Sequence, residues 1–391
     1  MQNQISTELL RDLQARFQDR QSEILSLVRS LVETESPSGD ESGSREVVNI
    51  LSRAAETAAV VGSIERVDVP GLGQHLIIRA FQEKAAAGTL LLVGHTDTVH
   101  PRGSIKDRPW RQRENGVYGP GIFDMKANCA LAVALLHVCG EFKLAPHGGL
   151  TVALLCDEEV GSASGWPLLK SIVETDNVSQ ALVLEPPAAG GAVKTGRKGT
   201  GIFEMRVNGR AAHAGLEPQK GASAILELAK QIARLDSLNG SGNGININVG
   251  VVHGGTRSNV VAAEARAEID VRFATSAEGK AVSDFLRNSV PFDERVRVTV
   301  TGGINRPPLE RNEPVLKLYE LARAIAAALD YQLAETQVGG ASDGNFLAAL
   351  GLPVLDGLGI DGDGAHAEHE HIIVDDIPRR GALLAGLIAS L

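Results

Sequence analysis

Apolar positions along the first half of the chain fall into two alternating kinds of run. From Ser6 to about Thr34 they recur at helical spacing, then stop before SPSGDESG, a stretch of turn formers. Residues 44–57 repeat the helical spacing. Short apolar runs predict strands at 74–80 and 89–94; the second, TLLLVGH, has the unbroken apolarity of a buried parallel strand. A helix over 125–139, a strand over 150–156, a helix over 166–174 and a strand over 181–184 follow. This alternation predicts an α/β domain with helices on both faces of a mostly parallel sheet.

From about Gly196 the pattern changes. IFEMRVNGR alternates as a half-exposed strand does. A helix over 222–235, strands over 245–252 and 260–273, a helix over 277–288 and a strand over 295–301 complete a β-α-β-β-α-β order, which is ferredoxin-like. After Pro307 the α/β pattern resumes with helices at 315–328 and 343–349, a strand at 354–358 and a last helix from Ile377. The expected organisation is a larger α/β domain in two parts, 1–195 and 307–391, interrupted by an inserted ferredoxin-like α+β domain at 196–306. A length of 391 residues accommodates both.

Composition narrows the function. A formal charge of −10 without a basic block argues against nucleic acid and anionic membranes as partners. No apolar run reads as long enough to span a bilayer, and the polar start MQNQISTELLRDLQARF has no signal-peptide core. Cys129, Cys139 and Cys156 lie in apolar runs without CxxC pairing and read as core thiols in a reducing compartment. A cytoplasmic protein is expected, or a periplasmic one if a leader has been removed.

Candidate chemistry sits where apolar strands end: GHTDT (His95, Asp97), GIFDMK (Asp124), CDEEVGS (Glu158, Glu159) and LVLEPP (Glu185). GAHAEHE adds His366, with His369 and His371 as rivals in the same loop. Ligands of open α/β sheets bind beyond the carboxyl ends of the strands. Carboxylates and imidazoles converging there suit zinc or a similar divalent ion. On an extended strand His95 and Asp97 point the same way, so Asp97 can orient the His95 ring. Of the neighbours Glu158 and Glu159, one faces a given metal, which leaves the other as a general base.

The ordered set GHTDTV, GPGIFDMKA, CDEEVGS, LEP, AAHAG and GAHAEHE resembles the co-catalytic dizinc peptidase family. That family includes glutamate carboxypeptidase (carboxypeptidase G), acetylornithine deacetylase, succinyl-diaminopimelate desuccinylase and aminoacylase. YGPGIFD, TGGINRPP and VGGASDGNF are most similar to the glutamate carboxypeptidase branch. The resemblance implies two Zn2+ per subunit, with Co2+ or Mn2+ as substitutes. Asp124 would bridge them, His95 and Glu185 would complete one site, and Glu159 and His366 the other. Glu158 would be the general base and Asp97 the support of His95. The Asp124–Met125 peptide would be cis. The inserted domain would act as lid and homodimer interface, with His213 reaching a partner's site to stabilise the oxyanion and Asn259 near it. Arg272 and Arg306 match positions that hold a substrate carboxylate, and Gly340, beside Gly339, would offer backbone contacts. Ala127 stands where the family often has Gly, and Ala212 where it often has Ser.

The implied activity is hydrolysis of an acyl-amino acid or peptide at the amide to a C-terminal amino acid, glutamate first. The alternative on the same scaffold is an N-acyl amino acid deacylase. A catalytically silent metal-binding protein would be expected to lack the base or a ligand, and none is missing.

Overall fold

The computed structural model of the protein describes residues 5–239 and 244–391. It opens with α1 (Thr7–Asp19) and α2 (Gln21–Glu33), separated at Arg20, whose ψ of 1° leaves the helical range. The apolar spacing over 6–34 therefore belongs to two helices. Ser6 caps the first by accepting from Leu9 N (3.1 Å), and Asp40 caps α3 (Glu41–Glu56) through Gly43 N (2.9 Å). Next come β1 (Val61–Val69), β2 (Gly73–Ala80), β3 (Thr89–His95), α4 (Ala127–Phe142), β4 (Gly149–Leu155), α5 (Gly165–Thr175) and β5 (Val178–Val183). The strand β1 went unread because it is a half-exposed edge bearing Glu65, Arg66 and Asp68 rather than an apolar run. Then follow β6 (Gly199–Asn208), α6 (Ala224–Asp236), β7 (Asn246–Gly254), β8 (Glu264–Phe273), α7 (Ser276–Arg287) and β9 (Arg297–Arg306). The chain closes with α8 (Glu313–Ala328), α9 (Asp343–Ala349), β10 (Val354–Leu355) and α10 (Asp376–Ser390).

Two compact units result. The larger comprises Met1–Thr195, Arg311–Gln337 and Ser342–Leu391; the smaller comprises Gly196–Glu310 and Val338–Ala341. The boundary thus falls four residues beyond the expected 306, and a second short excursion carries Gly340. The reason is backbone pairing. Arg197 and Leu309 exchange hydrogen bonds (2.9 and 3.0 Å), and Lys198 N donates to Val338 O (3.0 Å).

The sheet of the larger unit runs β1-β2-β4-β3-β5-β10. The strands β4, β3, β5 and β10 are mutually parallel, and the antiparallel pair β1 and β2 closes one edge. Every residue of β3 and β4 is buried, as their unbroken apolarity requires. The helical stretch Ile122–Phe142 corrects the expectation about membrane-length runs: it is long and apolar enough to cross a bilayer. Some 89% of its most apolar 18-residue window is buried, so its all-round apolarity is that of a core helix.

The smaller unit has the antiparallel order β7-β8-β6-β9, which is the ferredoxin-like arrangement. Strict alternation in β8 buries Ala265, Ala267, Ile269, Val271 and Phe273 against α6 and α7, while Glu264, Arg266 and Glu268 face outwards.

The entries of β3 and β4 are pinned together by Gly149 N donating to Gly88 O (2.8 Å). A Cβ on Gly148 would lie 1.8 Å from that same carbonyl. Gly148→Ala is expected to lower stability by about 1–3 kcal/mol through overpacking, measured as a reduced urea midpoint at unchanged slope.

Candidate active site

Three neighbouring parallel strands deliver the chemistry. His95 ends β3 opposite Leu155, the end of β4; Thr96 N donates to Leu155 O (2.7 Å) and Leu184 N to Val93 O (2.8 Å). The residues just beyond those ends, Asp157 to Glu159 and Glu185, therefore gather on one edge of the sheet. Asp124 comes from the tight turn Ile122–Lys126 before α4, and the Asp124–Met125 peptide is cis. His366, at φ 64°, lies in the loop between Asp363 and His371, which pair across the short strands flanking it.

Two ligand sets result. His95, Asp124 and Glu185 offer atoms within 4.8 Å of one another, and so do Asp124, Glu159 and His366. His95 Nε2 lies 3.0 Å from Asp124 Oδ1 and 3.6 Å from Glu185 Oε1. On the other side His366 Nε2 lies 3.4 Å from Asp124 Oδ2 and 3.2 Å from Glu159 Oε2. Asp124 thus presents one oxygen to each set. His366 holds this position; His369 instead lies 3.8 Å from Asp363, and the His371 ring stacks on Tyr118.

The electrostatics are those of carboxylates held by imidazoles. Hydrogen bonds to Asp124 and Glu159 raise His366 to about 10. Burial would lower His95, but its bonds to Asp124 and Asp97 prevail and hold it well above the ordinary imidazole value. Burial pushes Glu159 upward; in Asp124 the same burial is outweighed by His366 and His95, and its carboxyl is depressed. The residues fit divalent cations. Glu159 Oε1 is buried with no hydrogen-bond partner among the described residues. The donors are nitrogen and oxygen, matching the harder and borderline metals. No thiolate competes: the Cys129 thiol donates to His95 O (3.1 Å), and burial pushes it up to about 12.

Asp97 does more than the strand geometry suggested. The His95 Nδ1 proton goes to the Asp97 backbone carbonyl (3.0 Å), with the carboxylate oxygen farther off at 3.5 Å. The carboxylate itself accepts from Ser38 Oγ (2.6 Å), Glu158 N and Glu159 N (both 3.2 Å). It fixes the loop carrying the two glutamates because each of its oxygens accepts from one of those amides.

Asp157, the first of the three adjacent carboxylates, was given no role by sequence. It is fully buried and accepts from Ser164 N and Ser164 Oγ (both 2.7 Å) and from Gly165 N (3.2 Å), so it anchors the start of α5. His75 Nε2 approaches the same Ser164 hydroxyl at 3.0 Å. With its proton on Asp157, that serine is a structural link rather than a nucleophile. Glu370 was also missed; it accepts from Gly121, Phe123 and Asp124 N. The one signal for either was an acidic residue inside a motif whose neighbours had already been assigned.

The remaining expected residues belong to the smaller unit. Exposed His213 accepts at Nδ1 from Gly215 N and Leu216 N (both 3.2 Å), which leaves Nε2 to carry the proton as a donor. Asn259 braces that turn by accepting from Ala214 N at its carbonyl (3.0 Å). Arg272 donates to Asp270 through Nε (2.8 Å) and Nη2 (3.0 Å), a partly exposed pair on β8. Arg306 is buried, only 5% exposed, at the end of β9. Gly340 has open space beside its Cα, and its carbonyl accepts from Arg197 Nη1 (3.2 Å).

An α/β sheet whose edge gathers two histidine–carboxylate sets around a shared aspartate defines a hydrolase of the metallopeptidase class. The chain belongs to peptidase family M20/M25/M40, whose profile matches residues 91–390. It is 29% identical over 384 residues to carboxypeptidase G2 of a Pseudomonas species, covering 95% of this chain and 90% of that one. It is likewise 29% identical over 318 residues to a succinyl-diaminopimelate desuccinylase of Verminephrobacter eiseniae, covering 75% and 76%. Among solved structures, aminopeptidase PepT of Bacillus cereus superposes with a TM-score of 0.75 at 22% identity over 95% of this chain and 98% of that one. The YXEP protein of Bacillus subtilis, described as a dinuclear metal binding peptidase from the M20 family, superposes at 0.72 with 16% identity over 95% and 98%.

Because His366 and His95 are raised, their charged pairing stabilises the metal-free fold fully below the ordinary imidazole value near 6.5, and the His366 part is lost as pH rises through about 10. Two outcomes are expected. Stability of metal-free protein falls between pH 7 and 10 in urea titrations. Zinc binding at pH 7 releases protons, read by calorimetry in buffers of different ionisation enthalpy.

Proposed function

We propose that the protein is a dizinc hydrolase that cleaves the amide bond to a C-terminal amino acid, with glutamate as the leading leaving group. The observation that carries this reading is the pair of three-residue ligand sets sharing Asp124, with Glu158 next in sequence to one ligand. His95 and Glu185 would complete one zinc site, and Glu159 and His366 the other. Cobalt or manganese are the expected substitutes. When bound, the metals supply Lewis-acid polarisation of a carbonyl and acidification of water.

The chain's own residues do the rest. Glu158 accepts the proton of the attacking water and returns it to the leaving nitrogen. Asp97 holds the Glu158 and Glu159 amides and so sets where both carboxylates start. His213 donates from Nε2 to the developing oxyanion of a second copy's site, with Asn259 supporting its turn. Arg306, at the end of β9, and Arg272, on β8, would be the partners of a substrate carboxylate. Gly340 would supply backbone contact.

Likeness to a carboxypeptidase over nearly the whole chain supports release of a C-terminal residue. The stretches TGGINRPP and VGGASDGNF support glutamate. The likeness to a desuccinylase supports a second reading, an N-acyl amino acid deacylase. A homodimer through the smaller unit is supported by β7, an edge strand exposing Val251 and Val252, and by Ile225 and Leu226 exposed on α6. The three free thiols support a cytoplasmic setting.

Zinc-loaded protein is expected to release free glutamate from N-acyl-L-glutamates, folate included, and to stop when chelated. Activity confined to succinyl or acetyl amino acids would transfer the assignment to the deacylase. Glu158→Ala should still bind two zinc ions while kcat falls about 10²–10⁴-fold. His213→Ala should lower kcat about 10²–10³-fold, with the dimer unchanged in analytical ultracentrifugation.

A further inference from the structure

Four residues beyond His366, Glu370 is 2% exposed. Its Oε1 accepts from Phe123 N and Asp124 N (both 2.9 Å), and its Oε2 from Gly121 N (2.7 Å). His100 Nε2 stands 2.5 Å from the same Oε2. The other imidazole nitrogen of His100, Nδ1, faces Arg108 Nη2 at 3.2 Å. A guanidinium can only donate, so Nδ1 accepts and Nε2 carries the proton to Glu370. Arg108 Nη1 also donates to Ala367 O (3.3 Å), next to His366. One network, buried at Glu370 and His100 and half-buried at Arg108, therefore grips both the turn that presents Asp124 and the loop that presents His366.

We propose that Glu370 is the positioning residue of the metal site, holding Asp124 between His95 and His366, with His100 and Arg108 holding Glu370. This rests on the dizinc reading above. The physical reason is geometric. An aspartate that serves two sites tolerates little rotation, and its own amide, with two others of its turn, is fixed to a carboxylate whose every neighbour is a donor. The isosteric amide is therefore a severe test. In Glu370→Gln, whichever way the side-chain amide faced, its NH2 would meet Gly121 N and His100, or Phe123 N and Asp124 N, donor against donor.

The experiment compares wild type with Glu370→Gln in three measurements: zinc affinity by chelator competition, the visible spectrum of the cobalt-substituted protein, and melting of the metal-free protein. Wild type is expected to bind two zinc ions, and Glu370→Gln to bind them about 10–100-fold more weakly with a shifted cobalt spectrum. A variant that melts lower yet keeps wild-type zinc affinity and cobalt spectrum would make Glu370 a fold residue only and overturn the proposal. Wild type that binds no zinc would overturn the dizinc reading, and this proposal with it. If Glu370→Gln does not fold, His100→Ala carries the test, since it leaves the three backbone donors in place. It is expected to weaken zinc binding several-fold and to shift the cobalt spectrum; no change in either overturns the role.

Discussion

Carboxylates repel one another in a poorly hydrated site, and the larger unit collects an unusual number of them at one sheet edge. Asp97, Asp124, Asp157, Glu158, Glu159, Glu185 and Glu370 all occur within a few residues of a ligand-set position. Such crowding is sustained only if each charge meets donors or a cation. The structure divides the task. Asp97, Asp157 and Glu370 are satisfied by backbone amides and by Ser38, Ser164 and His100, while Asp124, Glu159 and Glu185 turn to histidines. The positions of the three parallel strands, the turn before α4 and the His366 loop all follow from this need.

The two units are built for different work. In the larger one β3 and β4 are buried throughout and α4 over most of its length, and the side chains they present are held by packing at their bases. The smaller has one packed face and one charged face, and its edge strand β7 exposes apolar residues. Within it His213 stands on a turn braced by Asn259, whereas Arg306 is buried.

Much of the fold was legible because burial writes itself as apolar runs. TLLLVGH and LTVALLC announced β3 and β4, and the strict alternation of β8 announced a one-sided sheet. The strand β1 was not legible, since an edge with charges on it lacks that signature. The break at Arg20 was not either, because neither Gly nor Pro marks it. The gathering of His95, Asp124, Glu159, Glu185 and His366 could be read from acids and histidines at strand ends. Their supports could not. Glu370 and its donor Gly121 are 249 positions apart, and a backbone amide carries no letter of its own. The pairing of Arg272 with Asp270 was hidden for a related reason: that aspartate, two residues away, looks like an ordinary strand charge.

That reliance on main-chain donors has an evolutionary meaning. Asp97, Asp157 and Glu370 recognise peptide groups, so a residue such as Phe123 offers its N–H whatever side chain stands there, proline excepted. Loops held in this manner can drift in sequence without surrendering their shape. A chain that anchors this acidic edge through its backbone can change the surrounding side chains without loosening it.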